Sequence, residues 1–284
     1  MEELPRLKAR IASLQELRDL MRAMRALAAS HVQEAQGALA GIRGYVDVIE
    51  DAIAEGVALL PATDGQSRAI KPTTSSVLIV ICSEHGFTGG FNNLLLDRAE
   101  KQSRSEQQLG IIGRRGAMLA EERGLTVAWS FPMATHVGGV LGVTSRIAER
   151  LADVSAAEMV FASYRKGGHF TAEAKSVLPL DPALLAKSRR RSRPLHQLDP
   201  YKLLQRLAGE YLFAEITHAA MESLASENGA RLQVMEAADH NIGDKLDTLR
   251  RQEHALRQNA ITSEMLDVVI GAEAVLGRPT GVHG

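Results

Sequence analysis

Apolar residues recur near the start of the chain at Leu4, Leu7, Ile11, Leu14, Leu17, Met21, Met24 and Ala28, then at Val32, Ala35, Leu39, Ile42, Val46, Ile49 and Ile53. The steps alternate between three and four, close to the 3.5-residue repeat of a coiled-coil seam, with a slip of one residue near Leu17. Pro5 stands where a first helical turn tolerates proline, and no other proline occurs before Pro61. One helix of roughly 80 Å is predicted, at about 1.5 Å per residue. The other end repeats the pattern, with Met221, Leu224, Asn228, Leu232, Met235, Ile242, Leu246, Leu249, Leu256 and Ala260 at near-heptad steps and no proline between Pro200 and Pro279. A second helix of up to ~110 Å follows from that spacing. Gly229, Gly243 and Gly271 weaken it without ending it, each by about 1 kcal/mol relative to alanine in an exposed helix. An ordinary domain has no core long enough to hide such stripes, so the ends predict an antiparallel helical pair of unequal lengths, one helix protruding alone.

Between the two stripes the period changes. "SVLIVICS", "LGIIG", "LTVAWSF" and "EMVFASYRK" read as short apolar strands, and "GGFNNLLLDRAEKQ", "RRGAMLAEER" and the region around "VTSRIAERLAD" read as helices between them. A final extended "FTAEAKSVLPL" follows. Strands alternating with helices argue for an open α/β sheet, parallel at least in part. The predicted fold class is therefore α/β, with a long antiparallel coiled coil of N- and C-terminal helices flanking a central open (Rossmann-like) α/β domain. The expected boundaries are a helix over 1–60, a linker over 61–75, the α/β domain over 76–185, a basic connector over 186–200 and a helix over 201–284.

Composition sharpens this picture. Of 284 residues, 45% are hydrophobic, enough for a packed core, but only 4% are aromatic, a bias that suits long helices. Lys plus Arg (33) nearly balances Asp plus Glu (34), so the formal charge of -1 supplies no global attraction to nucleic acid or anionic lipid. Cys82 is the single cysteine, which excludes an intrachain disulfide and a thiolate zinc cage and suits a reducing compartment; it reads as a small buried strand residue. The start "MEELPRLKAR" places acids before bases without a long apolar segment, and no window reaches the ~18 apolar residues of a membrane span.

The stretch "VLIVICSEHGFTGGFNN" invites a chemical reading, because a strand feeding a glycine turn that opens a helix is one way to hold phosphate. A P-loop needs GxxxxGK[ST] and a dinucleotide site needs GxGxxG, and the turn holding Gly86, Gly89 and Gly90 has neither spacing and no lysine. A plain strand-to-helix turn is expected, with no nucleotide, cofactor or metal bound. Ser83, Glu84 and His85 are consecutive, so along a strand their side chains alternate faces and cannot converge as a hydrolytic triad. Glu253 and His254 stand alone on a helix, without HExxH spacing. Lys187, Arg189, Arg190, Arg191 and Arg193 could grip phosphates, but without interleaved aromatics they read as a solvated connector.

The long run "ESLASENGARLQVMEAADHNIGDKLDTLRRQEHALRQNAITSEMLDVVIGAEAVLG" resembles the C-terminal signature of the gamma subunit of F-type ATP synthases, and "IASLQELRDLMRAMRALAASHVQEAQ" is similar to that family's N-terminal helix. The glycine turn resembles the family's SDRGLCGGFN turn, with Glu84, His85, Phe87 and Thr88 as departures. The resemblance covers nearly the whole chain. It implies a non-catalytic central rotor, coupling ion flow through a membrane sector to ATP synthesis or hydrolysis in a ring of alternating alpha and beta subunits. Its implied partners are that ring, the epsilon subunit and the membrane c-ring, with no nucleic acid and no direct membrane insertion; its implied place is the cytoplasmic face of the bacterial inner membrane. Carried over by motif, Met24 matches a position near the catalytic ring, and Arg231, Arg257, Gln258, Thr262 and Glu264 match positions that face the N-terminal helix or the ring. Arg22 and Arg25 add charge beside Met24. A single shaft facing three identical sites gives each a different contact set, and only differential contact can bias their conformational equilibria. Two rivals are a nucleotide-using enzyme on the α/β domain, separated by equilibrium binding of ATP or NAD, and a coiled-coil nucleic-acid binder resting on Lys187 to Arg193, decided by a salt-dependent gel shift.

Overall fold

The structure is a computed structural model and describes residues 3–60, 75–104, 106–181, 183–184 and 196–276. Residues 61–74 of the expected linker and the arginines of the basic connector lie outside the described residues. The described chain begins with helix α1 (Glu3–Val57), passes through β1 (Ser76–Ile81), α2 (Phe91–Gln102), β2 (Gln107–Ile112), α3 (Arg114–Glu122), β3 (Val127–Phe131), α4 (Val137–Leu151), β4 (Ala156–Tyr164) and β5 (Phe170–Leu178), and ends in helix α5 (Pro200–Leu276). Both terminal helices run without a break, 55 and 77 residues long. Helix α4 starts six residues before the quoted "VTSRIAERLAD", because Val140 completes a buried face with Val143, Ile147 and Leu151 that outweighs the glycines between them.

The five strands lie in the order β3-β2-β1-β4-β5. All neighbours are parallel except β5, which returns antiparallel along β4. Central strand β1 is covered on both faces, which explains its continuous apolar run. Val77, Ile79 and Ile81 face a layer that includes α4, Ala35 and Leu39 of α1, and Ile216, Ala220 and Leu224 of α5. Leu78, Val80 and Cys82 face Phe91, Leu95, Leu96 and Ala99 of α2 and Ala117 and Ala120 of α3. The alternation is the two-residue period of a pleated strand.

Two compact units divide the chain: residues 1–24 with 235–284, and residues 25–234. The larger unit holds the sheet. Within it the two long helices run antiparallel, with Ile49 and Ile53 packed with Tyr211 and Leu184, and Arg43 paired with Glu222. In the smaller unit α1 and α5 also pair antiparallel, burying Ile11, Leu246 and Leu249 with Leu7, Leu14 and Ile242 packed against them. Two residues of the predicted stripes are misplaced there: Ala260 of α5 is exposed, since it lies on the end of α5 that has no apolar support among the described residues, and so is Leu17 of α1. Leu17 is 41% exposed, because a strict alternation of four and three from Leu7 through Ile11 and Leu14 reaches Arg18, then Met21. The slip near Leu17 therefore marks an arginine on the seam.

Candidate interaction sites

In an open α/β sheet a ligand usually sits beyond the carboxyl ends of the strands where the chain reverses its direction of progress, here between β1 and β4. Strand β1 pairs with β4 only as far as Val80 opposite Val160, so the groups of Ala162 and Tyr164 on that edge have no strand beside them. Helix α5 supplies their partners. The Ala162 N–H donates to Ser223 Oγ at 3.1 Å, Ser226 Oγ donates to the Ala162 carbonyl at 3.1 Å, and the Tyr164 N–H donates to the Glu222 carboxylate at 2.8 Å. The helix can come this close because residue 229 is glycine: a Cβ there would lie 3.0 Å from the Tyr164 ring and 3.1 Å from Gly168 Cα. The crevice that would face a ligand is thus lined by α5.

The glycine turn is bound to the same helix. Arg231 is buried, donates to Glu227 at 2.6 Å and to Asn228 at 2.9 Å, and reaches the Gly86 carbonyl at 3.4 Å. Burial raises the Glu227 pKa, and the Arg231 charge acts against that rise. Ser83, Glu84 and His85 do not converge: Ser83 is bonded to Asn92 through both backbone N–H and hydroxyl, the Glu84 carboxylate accepts from the Arg114 and Met133 N–H groups, and His85 is exposed. The Cys82 thiol is pushed up to about 12, chiefly by burial, so it carries no thiolate at neutral pH. The turn needs left-handed backbone at Gly89 (φ 58) and also at Phe87 (φ 61). It is built for shape.

A second polar group joins α5 to its neighbours in the larger unit. Lys175 donates to Glu215 at 2.7 Å, and Arg43 contacts both Glu222 and His218. Burial lowers the His218 pKa, with Glu222 and Glu215 opposing that and Arg43 and Lys175 adding to it. Sequence reasoning assigned no role to Glu215, Glu222, Ser223 or Ser226. For all but Glu215 a signal was there in "MESLASE", where polar Glu222, Ser223 and Ser226 stand among the seam residues Met221 and Leu224 and the small apolar Ala225.

Of the residues singled out by motif, Arg231 lies buried between Glu227, Asn228 and the glycine turn, and Met24 is half-buried on α1. Arg257, Gln258, Thr262 and Glu264 lie on a part of α5 where every residue from Arg257 to Ala272 is exposed. The Thr262 hydroxyl donates to the Gln258 carbonyl at 2.9 Å, one turn back. Within the smaller unit the fully buried apolar residues of α5 end at Leu249, Ala255 and Leu256 still line a cleft with Leu7 of α1, and α5 continues beyond them. Ile261, Met265 and Val268, spaced to share one face, are 51%, 65% and 71% exposed, and Leu266, Val269 and Ile270 widen the patch. Exposed apolar residues grouped on one helix end beside donors and acceptors make this stretch a candidate docking surface. Among the described residues no group of three His, Cys, Asp or Glu could hold a metal ion, and no helix is long and apolar enough to cross a membrane.

A family model described as ATP synthase matches residues 3–275. The ATP synthase gamma chain of Sorangium cellulosum is 29% identical over 256 residues, covering 78% of this chain and 77% of that one. The gamma chain of Geobacter metallireducens is 25% identical over 294 residues, covering 98% of this chain and all (100%) of the other. Among solved structures, a chain of the Euglena gracilis mitochondrial ATP synthase, resolved as OSCP, F1 and c-ring, matches with a TM-score of 0.66 at 12% identity, over 98% of this chain and 97% of its own. A chain of the Tetrahymena thermophila mitochondrial ATP synthase central stalk and c-ring matches with a TM-score of 0.57 at 17% identity, over 77% and 99%. At these identities the structural likeness shows a common fold.

Proposed function

The chain belongs to the ATP synthase gamma family, and from that membership we propose that it is a rotor doing no bond chemistry of its own. As the gamma subunit it is the central shaft that couples ion flow to ATP synthesis or hydrolysis in the alpha and beta ring. The non-catalytic reading is supported by α5 lining the crevice of the sheet and by the divergence of Ser83, Glu84 and His85. As part of a membrane-bound complex the chain is peripheral, and its bacterial relatives favour the cytoplasmic face of the bacterial inner membrane. Residues 1–60 and 201–284 serve as shaft, 76–185 as the domain that meets epsilon and the c-ring, with 61–75 and 186–200 as linker and connector.

The observation that carries this reading is the exposed end of α5. A helix displaying Ile261, Met265 and Val268 to solvent is complete only when a sleeve surrounds it. Met24, Arg257, Gln258, Thr262 and Glu264 face that sleeve, and Arg231 stays the turn against the shaft. Arg257 and Gln258 form a polar catch with the ring. Charge-assisted hydrogen bonds contribute about 1.5 to 3 kcal/mol each, so losing both contacts slows the steps that break and remake the catch by roughly ten- to a hundredfold, where they are stronger in the transition state. Both residues are exposed in the chain by itself, so their removal costs its fold little. Reconstitute the complex with Arg257→Ala, Gln258→Ala and measure ATP hydrolysis and ion pumping, with thermal unfolding of the isolated chain as control. An assembled variant retaining both activities within about a factor of two would sink the catch.

A further inference from the structure

The seam of the smaller unit contains an ion pair where a coiled coil ordinarily holds apolar residues. On α1 the strict alternation 7, 11, 14, 18, 21 gives Leu, Ile, Leu, Arg, Met, and on α5 the alternation 235, 239, 242, 246, 249 gives Met, Asp, Ile, Leu, Leu. Both helices thus give up one apolar seam residue, and the two polar replacements meet: Arg18 Nε donates to Asp239 Oδ1 at 2.7 Å. Arg22, one turn further along the same face of α1, donates to the same oxygen at 3.1 Å. The Asp239 side chain is 16% exposed, and the Arg18 bond is the main cause holding its pKa below the usual carboxylate range.

The bulk of Arg18 is accommodated by a second feature. Gly243 lies one turn from Asp239 on α5, and a Cβ there would stand 3.0 Å from the Arg18 guanidinium. The glycine that only weakens the helix in isolation is the space into which the arginine folds. In the larger unit the Arg43–Glu222 pair ties the two helices, but within the smaller unit apolar contacts cannot by themselves fix the axial position of one helix along the other, because burial is non-directional and a local slip of one heptad would pair leucines with leucines again. A carboxylate bonded by two arginines a turn apart does fix it: sliding in either direction lengthens one of the two bonds, and any other register leaves a charge on the seam unpaired.

We propose that Arg18, Arg22, Asp239 and Gly243 form a register key of the smaller unit, holding its parts of α1 and α5 at one axial position so that torque carried by one helix reaches the other there without slip. These are positioning residues, and their part in coupling rests on the rotor reading given above. The key itself is tested on the full chain alone. Spin labels placed at the exposed positions Ser13 and Thr248, with Cys82→Ala removing the native thiol, report the axial offset of the two helices, and a slip of one heptad changes it by about 10 Å. The wild-type background gives a single narrow distance distribution. Asp239→Asn, which preserves shape but removes the charge, gives a second population or a broadened one, as does Gly243→Val, which expels Arg18; Asp239→Glu keeps the single population. A distribution unchanged in both Asp239→Asn and Gly243→Val overturns the key. In the reconstituted complex, ions pumped per ATP hydrolysed against an opposing gradient fall about twofold in Asp239→Asn and recover in Asp239→Glu, whereas loss of fold alone would lower pumping and hydrolysis together. A shifted register with an unchanged pumping ratio overturns the coupling role. Failure of the wild-type chain to join alpha and beta subunits would overturn the rotor reading and leave the distance measurement standing.

Discussion

His218 shows how one side chain reports on its surroundings. It lies on α5 among Glu222, Glu215, Arg43 and Lys175, and Arg43 donates to its ring. Burial lowers its pKa, so the folded chain takes up a proton there less readily than the unfolded chain, whose histidine titrates near 6.5. The sign follows from linkage: the contribution is fully present above the unfolded value and is lost as pH falls through it toward the lower folded value. Acidification from about pH 7.5 to about pH 5.5 should therefore lower the melting temperature of the wild-type chain more than that of His218→Gln. Equal pH dependence of the two proteins, measured by differential scanning calorimetry, would contradict the assignment. Nothing in the sequence marks His218 above the other histidines, since its shift comes first from burial, which only folding imposes, with Arg43 and Lys175, both distant in sequence, adding to it.

At the level of elements, the joint between α5 and β4 stands in for a missing strand. Ser223 and Ser226 satisfy both backbone groups of Ala162, and both serines are buried. Replacing each by alanine leaves a buried donor or acceptor unpaired, at about 1 to 3 kcal/mol apiece. The double change Ser223→Ala, Ser226→Ala should accordingly lower the urea midpoint well beyond Thr262→Ala, whose hydroxyl bonds only its own helix on an exposed face and whose loss stays within about 0.5 kcal/mol. Equal midpoints for the two variants would mean that water satisfies Ala162 as well as the serines do. The elements were legible in advance: the seven quoted strand and helix segments and the final extended run all formed where the hydrophobic period placed them. Their joints were not, because a serine that pairs with a distant strand has no period.

For the molecule as a whole, the two compact units differ in how their backbone is protected. In the larger one, β1 is buried on both faces and its neighbours pair on both edges. In the smaller one, a narrow seam around Ile11, Leu246 and Leu249 is the apolar support, and Arg257 to Ala272 have none. Local opening costs little where few apolar contacts are lost. Amide exchange of the isolated chain should therefore be slowest in 77–81 and 158–162, faster in 5–20 and 240–256, and fastest in 257–272. Protection of 257–272 equal to that of β1 would show that the end of α5 is covered in the isolated chain, and would remove the reason for assigning it to a ring of partner subunits.

Local chemistry determined a good deal of this protein before any contact was known. Prolines bound the long helices, a 3.5-residue repeat wrote their seam, and alternating strand and helix segments specified the open α/β sheet, because each of these depends on neighbours a few positions away. The run from Glu222 to Gly277 carried the resemblance to the family, which implies Arg257, Gln258, Thr262 and Glu264 as partner-facing positions. Tertiary structure alone decided the rest: that Leu17 leaves the seam and Arg18 enters it, that Gly229 and Gly243 are spaces for Tyr164, Gly168 and Arg18, and that the crevice of the sheet is lined by Ser223 and Ser226. The physical reason is common to all three. Each depends on what faces a residue across a gap of 60 or more positions, and a side chain's cost or benefit is set by that facing group, which no local pattern contains.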